Sequence, residues 1–325
     1  MTTLIEKRES PMASGLLSHP HGSALNESLE LRTILVPIDF SERSIAVMNY
    51  TIPLAEFFGA AIHLVHVQPA HKLTTLTRAG RFVLDAADAI GLMQDRLAEI
   101  QEQHDLQFWP EHCHAVTGRP FEEICQLARK IKADLIVLPT HAYTGVGPAL
   151  LGSTAKKVIR FAPCPVLVLP GETSADPRLS FDRIVVPVDY SRSSIEGVRY
   201  AAKLARRTGA RLTLLHVVFP YQDAVAFDRI SADAAPSTQR AVSVAEELMR
   251  HLKGRRFLRG VKCESEVRVG NVIDEIARAT RPPLADLLVT STHGCGGFGH
   301  AILGSTAEHL IRYAECPVIT VRSPD

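Results

Sequence analysis

Two stretches of this chain, 152 positions apart, are closely alike: PTHAYTGVGPALLGST at residues 139–154 and STHGCGGFGHAILGST at residues 291–306. The likeness extends well beyond that loop. ILVPIDFS (34–41) matches IVVPVDYS (184–191), and IHLVHVQP (62–69) matches LTLLHVVF (212–219), both at an offset of 150. ADLIVLPTH (133–141) matches ADLLVTSTH (285–293), LLGSTA (150–155) matches ILGSTA (302–307), and CPVLVL (164–169) matches CPVITV (316–321), all at 152. Five blocks in the same order mean that a whole domain has been duplicated, because solenoid repeats run on periods of about 20–50 residues. A chain of 325 residues has room for two such cores. The expected organisation is a flexible arm over residues 1–29, a first domain over 30–170, a linker over 171–180 (GETSADPRLS) and a second domain over 181–325.

Within the first half, short β-branched runs at 33–37, 62–67, 112–117, 134–138 and 165–169 are continuous enough for strands covered on both faces. Between them lie stretches of helical period such as SERSIAVMNYTIPLAEFFG and FEEICQLARKIK, the first carrying a Pro53 that should kink it. Strand alternating with helix predicts an α/β fold: two tandem doubly wound, Rossmann-like domains, each a five-stranded parallel sheet with helices on both faces. Ligands of such sheets bind beyond the carboxyl ends of the strands, where the strand order reverses.

Charge excludes some partners. Lys plus Arg number 36 against 35 for Asp plus Glu, so no basic surplus points to nucleic acid. No apolar run approaches the roughly 20 residues that span a bilayer, so no membrane partner is expected. The six cysteines form no CxxC pair and fit buried thiols in a reducing compartment, and the N-terminus is a poor signal peptide; the expectation is a cytoplasmic protein.

The second loop leaves a strand near Thr290, passes Gly294, Gly296, Gly297 and Gly299, and reaches Gly304 just before SerThrAlaGlu opens a helix. Backbone amides at a helix start attract anions and glycine lets a phosphate approach the main chain, so the loop reads as a phosphate cradle or, alternatively, as a turn whose Ser305 or Thr306 caps the helix. Residues 299–306 fit a Walker loop except that Ser305 stands where the lysine belongs, as Ser153 does in the first copy. Gly294, Gly296 and Gly299 spell GxGxxG, but too little chain follows for an acidic ribose ligand.

With VPxDxS after the first strand, LHV in the second, THG followed by nine residues and GlySer before the last helix, and CysProVal opening the final strand, the sequence resembles the universal stress protein family in tandem form over residues 30–325. The motifs occur in order and twice. The resemblance implies a site for adenine nucleotide, ATP with Mg2+, because nucleotide-binding members hold ATP with a Gly, two residues, Gly, nine residues, Gly and Ser or Thr pattern. In the second half it points to Asp189 and Val217 at the adenosine end. Gly294, Gly304, Ser305 and Thr306 fall at the phosphate end, beside Ser291, which replaces the first glycine, and His293. In the first half Asp39, Val67, Gly152 and Ser153 match, but Pro139 and Ala142 replace two glycines; proline has no amide to donate and alanine adds a methyl where phosphate should pass. Nucleotide is therefore expected chiefly in the C-terminal half, and the function as a stress-response sensor or regulator.

Other residues read more plainly. Asp39 and Asp189 precede serines that can cap a helix, and His66 and His216 fit core or rim histidines. His141 and His293 lie in the loops, where they either meet phosphate or brace the turn. HisCysHis at 112–114 invites a metal reading that strand alternation opposes, since Cys113 would face away from both histidines. Cys164 and Cys316 look like small buried side chains, and Cys295 like a reachable thiol. No nucleophile with an adjacent base and no paired carboxylates call for catalysis; slow ATP hydrolysis or autophosphorylation through Ser305, and a nucleotide-free scaffold, are the alternatives. The family commonly pairs domains through the final strand, and both CPVLVL and CPVITV would otherwise be exposed apolar edges. The halves are therefore expected to pair within one chain as a pseudo-dimer, with a further homodimer left open.

Overall fold

In each half the apolar runs become parallel strands and the amphipathic stretches between them become helices, and the ten strands join in one sheet. The structure is a computed structural model describing residues 29–69, 86–104, 110–140, 151–170, 181–220, 238–292 and 303–322. The N-terminal half comprises β1 (Thr33–Pro37), α1 (Glu42–Ala46), α2 (Met48–Phe58), β2 (Ala61–Gln68), α3 (Ala86–Gln103), β3 (Cys113–Thr117), α4 (Pro120–Lys130), β4 (Leu135–Pro139), α5 (Ser153–Phe161) and β5 (Val166–Leu169). The C-terminal half repeats the plan with β6 (Arg183–Pro187), α6 (Arg192–Thr208), β7 (Arg211–Val218), α7 (Thr238–Lys253), β8 (Lys262–Val269), α8 (Val272–Ala279), β9 (Leu287–Ser291), α9 (Ser305–Tyr313) and β10 (Val318–Val321). Residues 1–28 of the arm and all of the linker lie outside the described residues.

The strand order is β3-β2-β1-β4-β5-β10-β9-β6-β7-β8. Each half is the expected five-stranded parallel sheet, and the two merge because β5 and β10 pair antiparallel, Leu167 opposite Ile319 with Val166 and Val168 opposite Thr320 and Val318. The expected pairing through the final strands is thus the centre of the fold. Both strands are buried along their length; left apart, each would be an open apolar edge. Each face of the sheet carries one apolar cluster, and each cluster runs through both halves: Val36, Leu64, Leu167, Leu214 and Ile319 on one side, Leu35, Val65, Val168, Leu215 and Val318 on the other. At the outer ends the strands become polar, as β8 does with KCESEVRV, which suits an edge strand facing solvent.

The helix after β1 differs between the halves. Ser41 and Ser191 cap it alike, each accepting from the amide three residues on, and Gly59 and Gly209 close it in the left-handed conformation, with φ of 71° and 80°. In the C-terminal half it is one unbroken α6. In the N-terminal half the interruption falls at Val47, six residues before Pro53, so proline sits within α2 rather than at the break. Val47 keeps right-handed dihedrals (φ −56°, ψ −28°). The third strand begins at Cys113, one residue later than the sequence suggests, because residues 110–112 form a 3-10 turn.

Candidate functional site

The order within each half reverses beside its first strand. In the C-terminal half β6 is flanked by β7 on one side and β9 on the other, and it pairs with β9 only at Ile184 with Leu287 and Val185 with Leu288. Beyond those pairs the carboxyl ends of β6 and β9 carry no further ladder, and this is the crevice where doubly wound sheets take ligands. Asp189 lies just past the end of β6 and is exposed, Val217 is the next-to-last residue of β7 and half-buried, and Ser291 ends β9, also half-buried. Gly304, Ser305 and Thr306 open α9. All six belong to the same edge of the sheet. His293 and Gly294 lie outside the described residues, as do His141, Ala142 and Cys295.

The turn after the first strand is built twice with one plan. Asp189 Oδ1 accepts from the Ser191 amide at 3.0 Å; Asp39 Oδ1 accepts from the Ser41 amide at 3.0 Å and from the Ser41 hydroxyl at 2.6 Å. Between each Asp and Ser an aromatic residue takes a left-handed backbone, Phe40 at φ 63° and Tyr190 at φ 61°. That conformation costs a bulky side chain roughly 1–2 kcal/mol. Ring contacts offset it: Phe40 stacks on His66 at 4.4 Å and Tyr190 lies 4.8 Å from His216. Each histidine meets a main-chain carbonyl through Nδ1, His66 that of Ile38 at 2.8 Å and His216 that of Val188 at 2.6 Å. A carbonyl only accepts, so Nδ1 carries the proton and donates. Both histidines thus brace the turn. Nothing in the local sequence signals the left-handed aromatic residue, because its cost is met by contacts about 26 residues away.

The helix start at the other side of the crevice has no side-chain cap. Gly304 is the N-cap of α9 with φ −58° and ψ 138°, and its amide donates to the Thr292 carbonyl at 2.9 Å, tying the helix to the end of β9. Ser305 is therefore the first helical residue rather than the cap, and Ser305 and Thr306 are exposed. Gly152 begins α5 in the same manner at φ −58° and ψ 151°, with Ser153 exposed behind it. The first-turn amides of an α-helix have no partner within the helix, and the macrodipole adds partial positive charge there. With glycine in place of a capping side chain, an anion can reach those amides. In the first half Gly152 is buried, and Pro139 ends β4 without an amide hydrogen. Thr140, 4 % exposed, leaves its hydroxyl without a partner among the described residues.

The sequence model of the universal stress protein family matches residues 30–170 and again 180–322. The chain belongs to the universal stress protein family. It is 26% identical over 304 residues to a universal stress protein of Mycolicibacterium smegmatis, covering 89% of this chain and 96% of that one. It is also 32% identical over 138 residues to a universal stress protein of Methanocaldococcus jannaschii, covering 42% of this chain and 81% of the relative. Among solved structures, a universal stress protein from Archaeoglobus fulgidus superposes with a TM-score of 0.60 at 19% identity, covering 89% of this chain and 98% of that one. The likeness shows the shared fold. This universal stress protein therefore carries two family domains, joined edge to edge.

The remaining residues singled out in the sequence fall into place as packing. Cys113 is buried on the face with Leu97 and Ile100, opposite to His114, as strand alternation requires. His112, in the 3-10 turn, joins His114 on that other face around His63: His63 Nδ1 meets His114 Nε2 at 3.0 Å, and the His112 ring lies 4.0 Å from that of His63. Among the described residues no group of three or more His, Cys, Asp or Glu is arranged to hold a metal ion. Burial pushes the thiols of Cys164 and Cys316 up to about 12, which keeps them protonated and poorly reactive. No helix among the described residues is long and apolar enough to cross a membrane.

Proposed function

We propose that this universal stress protein is a cytoplasmic sensor or regulator that binds adenine nucleotide, ATP with Mg2+, chiefly in its C-terminal half, and that its domains run over residues 30–170 and 181–325. In this reading Asp189 and Val217 contact the adenosine, and Gly294, Gly304, Ser305 and Thr306 hold the phosphates, with Ser291 and His293 beside them. The observation that carries it is the uncapped start of α9 at Gly304, fixed to the end of β9 at the switch point. Anionic phosphate is the ligand chemistry such a start accepts. The first half repeats the helix start with Gly152 and Ser153 and keeps Asp39 and Val67, but Pro139 and Ala142 replace the loop glycines. The second site therefore dominates.

The test is mass spectrometry of nucleotide released from the purified protein, beside a titration of Mg-ATP into wild type and Gly294→Ala. About one ATP retained per chain, with affinity lost at least roughly tenfold in the variant, is the expected result for an added methyl against a phosphate. Absence of both bound nucleotide and titratable affinity overturns the reading in favour of a scaffold.

A further inference from the structure

The seam brings equivalent positions of the two halves face to face, because the β5 and β10 pairing is centred on Leu167 and Ile319, which occupy the same place in each repeat. In an isologous interface between identical domains, the residues close to the two-fold axis face their own copies. In this chain the copies have diverged in opposite senses on both faces of the sheet. On one face the fourth residues of α5 and α9 meet: Lys156 Nζ lies 2.5 Å from Glu308 Oε1, with 37% and 30% of the two side chains exposed. The hydrogen bond from Lys156 holds the Glu308 carboxyl below its ordinary range. On the other face α2 and α6 end side by side. Arg207 donates to the Phe57 carbonyl at 3.4 Å, and its guanidinium lies 5.5 Å and 5.8 Å from the ring centroids of Phe57 and Phe58. Phe57 and Arg207 are equivalent positions too, each two residues before the left-handed glycine that closes its helix.

We propose that these two pairs make the seam selective for one N-terminal half with one C-terminal half, so that each half rejects a second copy of itself. The strands themselves discriminate little, since VLVL and VITV are both fully buried, and Thr320, the one polar side chain, donates at 3.3 Å to a main-chain carbonyl, that of Val166, which either strand supplies. Two N-terminal halves joined by the same operation set Lys156 against Lys156 and leave Phe57 without its cation. Two C-terminal halves set Glu308 against Glu308 and Arg207 against Arg207. Like charges brought together in this way oppose the wrong union while opposite charges favour the right one, which is how specificity arises from surfaces of similar affinity.

The experiment uses the full chain with a protease site placed in residues 171–180, cleaved after purification, with native mass spectrometry counting mixed and like pairs of the two fragments. Mixed pairs should exceed like pairs by about tenfold or more in the wild-type sequence, and Lys156→Glu should lower that ratio roughly threefold to tenfold. Combining Lys156→Glu with Glu308→Lys should restore it, which separates charge pairing from damage to folding. Arg207→Phe should lower the ratio independently. A ratio unmoved by Lys156→Glu, a double exchange that fails to restore it, or fragments that do not pair at all overturns the proposal.

Discussion

At the outer edge of the N-terminal half, His63, His112 and His114 sit where the C-terminal half carries Thr213, Glu264 and Glu266, an equivalence fixed by matching strand registers. The first edge is a stack of rings. The second is ionic: Arg211 pairs with Glu264 at 3.1 Å, and Arg268 engages Glu266 with two bonds of 2.8 Å and 3.0 Å. The backbone plan is common to both, so duplication preserved the frame while the solvent-facing chemistry diverged. Near the seam the opposite holds, for there β5 and β10 are both buried along their length, and the one polar side chain, Thr320, is satisfied by the Val166 carbonyl. A sheet edge tolerates either solution because water solvates it, whereas a buried junction tolerates only close packing.

The sharpest way to break this comparison is at the junction. Leu167→Ala and Ile319→Ala each remove a buried side chain at the pseudo-twofold centre, 0% and 3% exposed, and each should cost about 2–5 kcal/mol in urea unfolding of the intact chain. Nearly equal losses would bear out a symmetric seam; a large inequality would show that one half dominates it.

Acid should separate the halves next. Burial, then the neighbouring His112 and His114, lower His63 from an ordinary 6.5 to about 4, against a weaker opposing pull from Glu111. Burial and then His112 and Lys130 lower His114 as well. A histidine held neutral in the fold takes up protons more readily when unfolded, so its stabilisation is complete above pH 6.5 and is lost as pH falls from there to about 4. For rings that are partly solvated the loss should be about 1–2 kcal/mol. Amide exchange at pH 7.5, 5.5 and 4.5 should show β2 and β3 loosening before β7 and β8. His63→Thr, which installs the residue of the other half, should flatten that dependence.

The smallest contrast lies at a helix start. Asn271 caps α8 by accepting from the amides of Ile273 and Asp274 at 3.0 Å and 3.3 Å, while Arg119, its equivalent, begins α4 with no side-chain cap. Asn271→Ala should cost about 1 kcal/mol and Arg119→Asn should gain up to about 1 kcal/mol in thermal unfolding. A null effect at both positions would mean that tertiary packing alone holds these helices.

Much of this architecture was legible without coordinates. The five apolar runs of the first half correspond to β1 through β5 within one or two residues, because strands buried on both faces must be continuously apolar. The capping serines and the left-handed Gly59 and Gly209 mark helix ends by local chemistry that neighbours in sequence supply. The placement of Asp189, Val217, Ser291 and Gly304 at one sheet edge follows from the same reasoning about strand ends. The interruption of the first helix at Val47 was not legible in the sequence, and Pro53 lies inside α2. Strand alternation puts Cys113 on the face away from His112 and His114, and the structure agrees, although His112 itself lies in a 3-10 turn rather than in β3.

By itself the sequence determined the duplication, the alternation of strand and helix and the edge of the sheet to which the glycine loops belong, all of which rest on periodicity and short-range preference. Only the tertiary structure decided which side chains meet across long separations. Lys156 finds Glu308 across 152 residues, Arg207 reaches Phe57 across 150, and His63 reaches His114 across 51. No local pattern encodes such partners. The first two are selected when β5 and β10 close the sheet and bring α5 beside α9 and α2 beside α6, and the third by the register of β2 against β3.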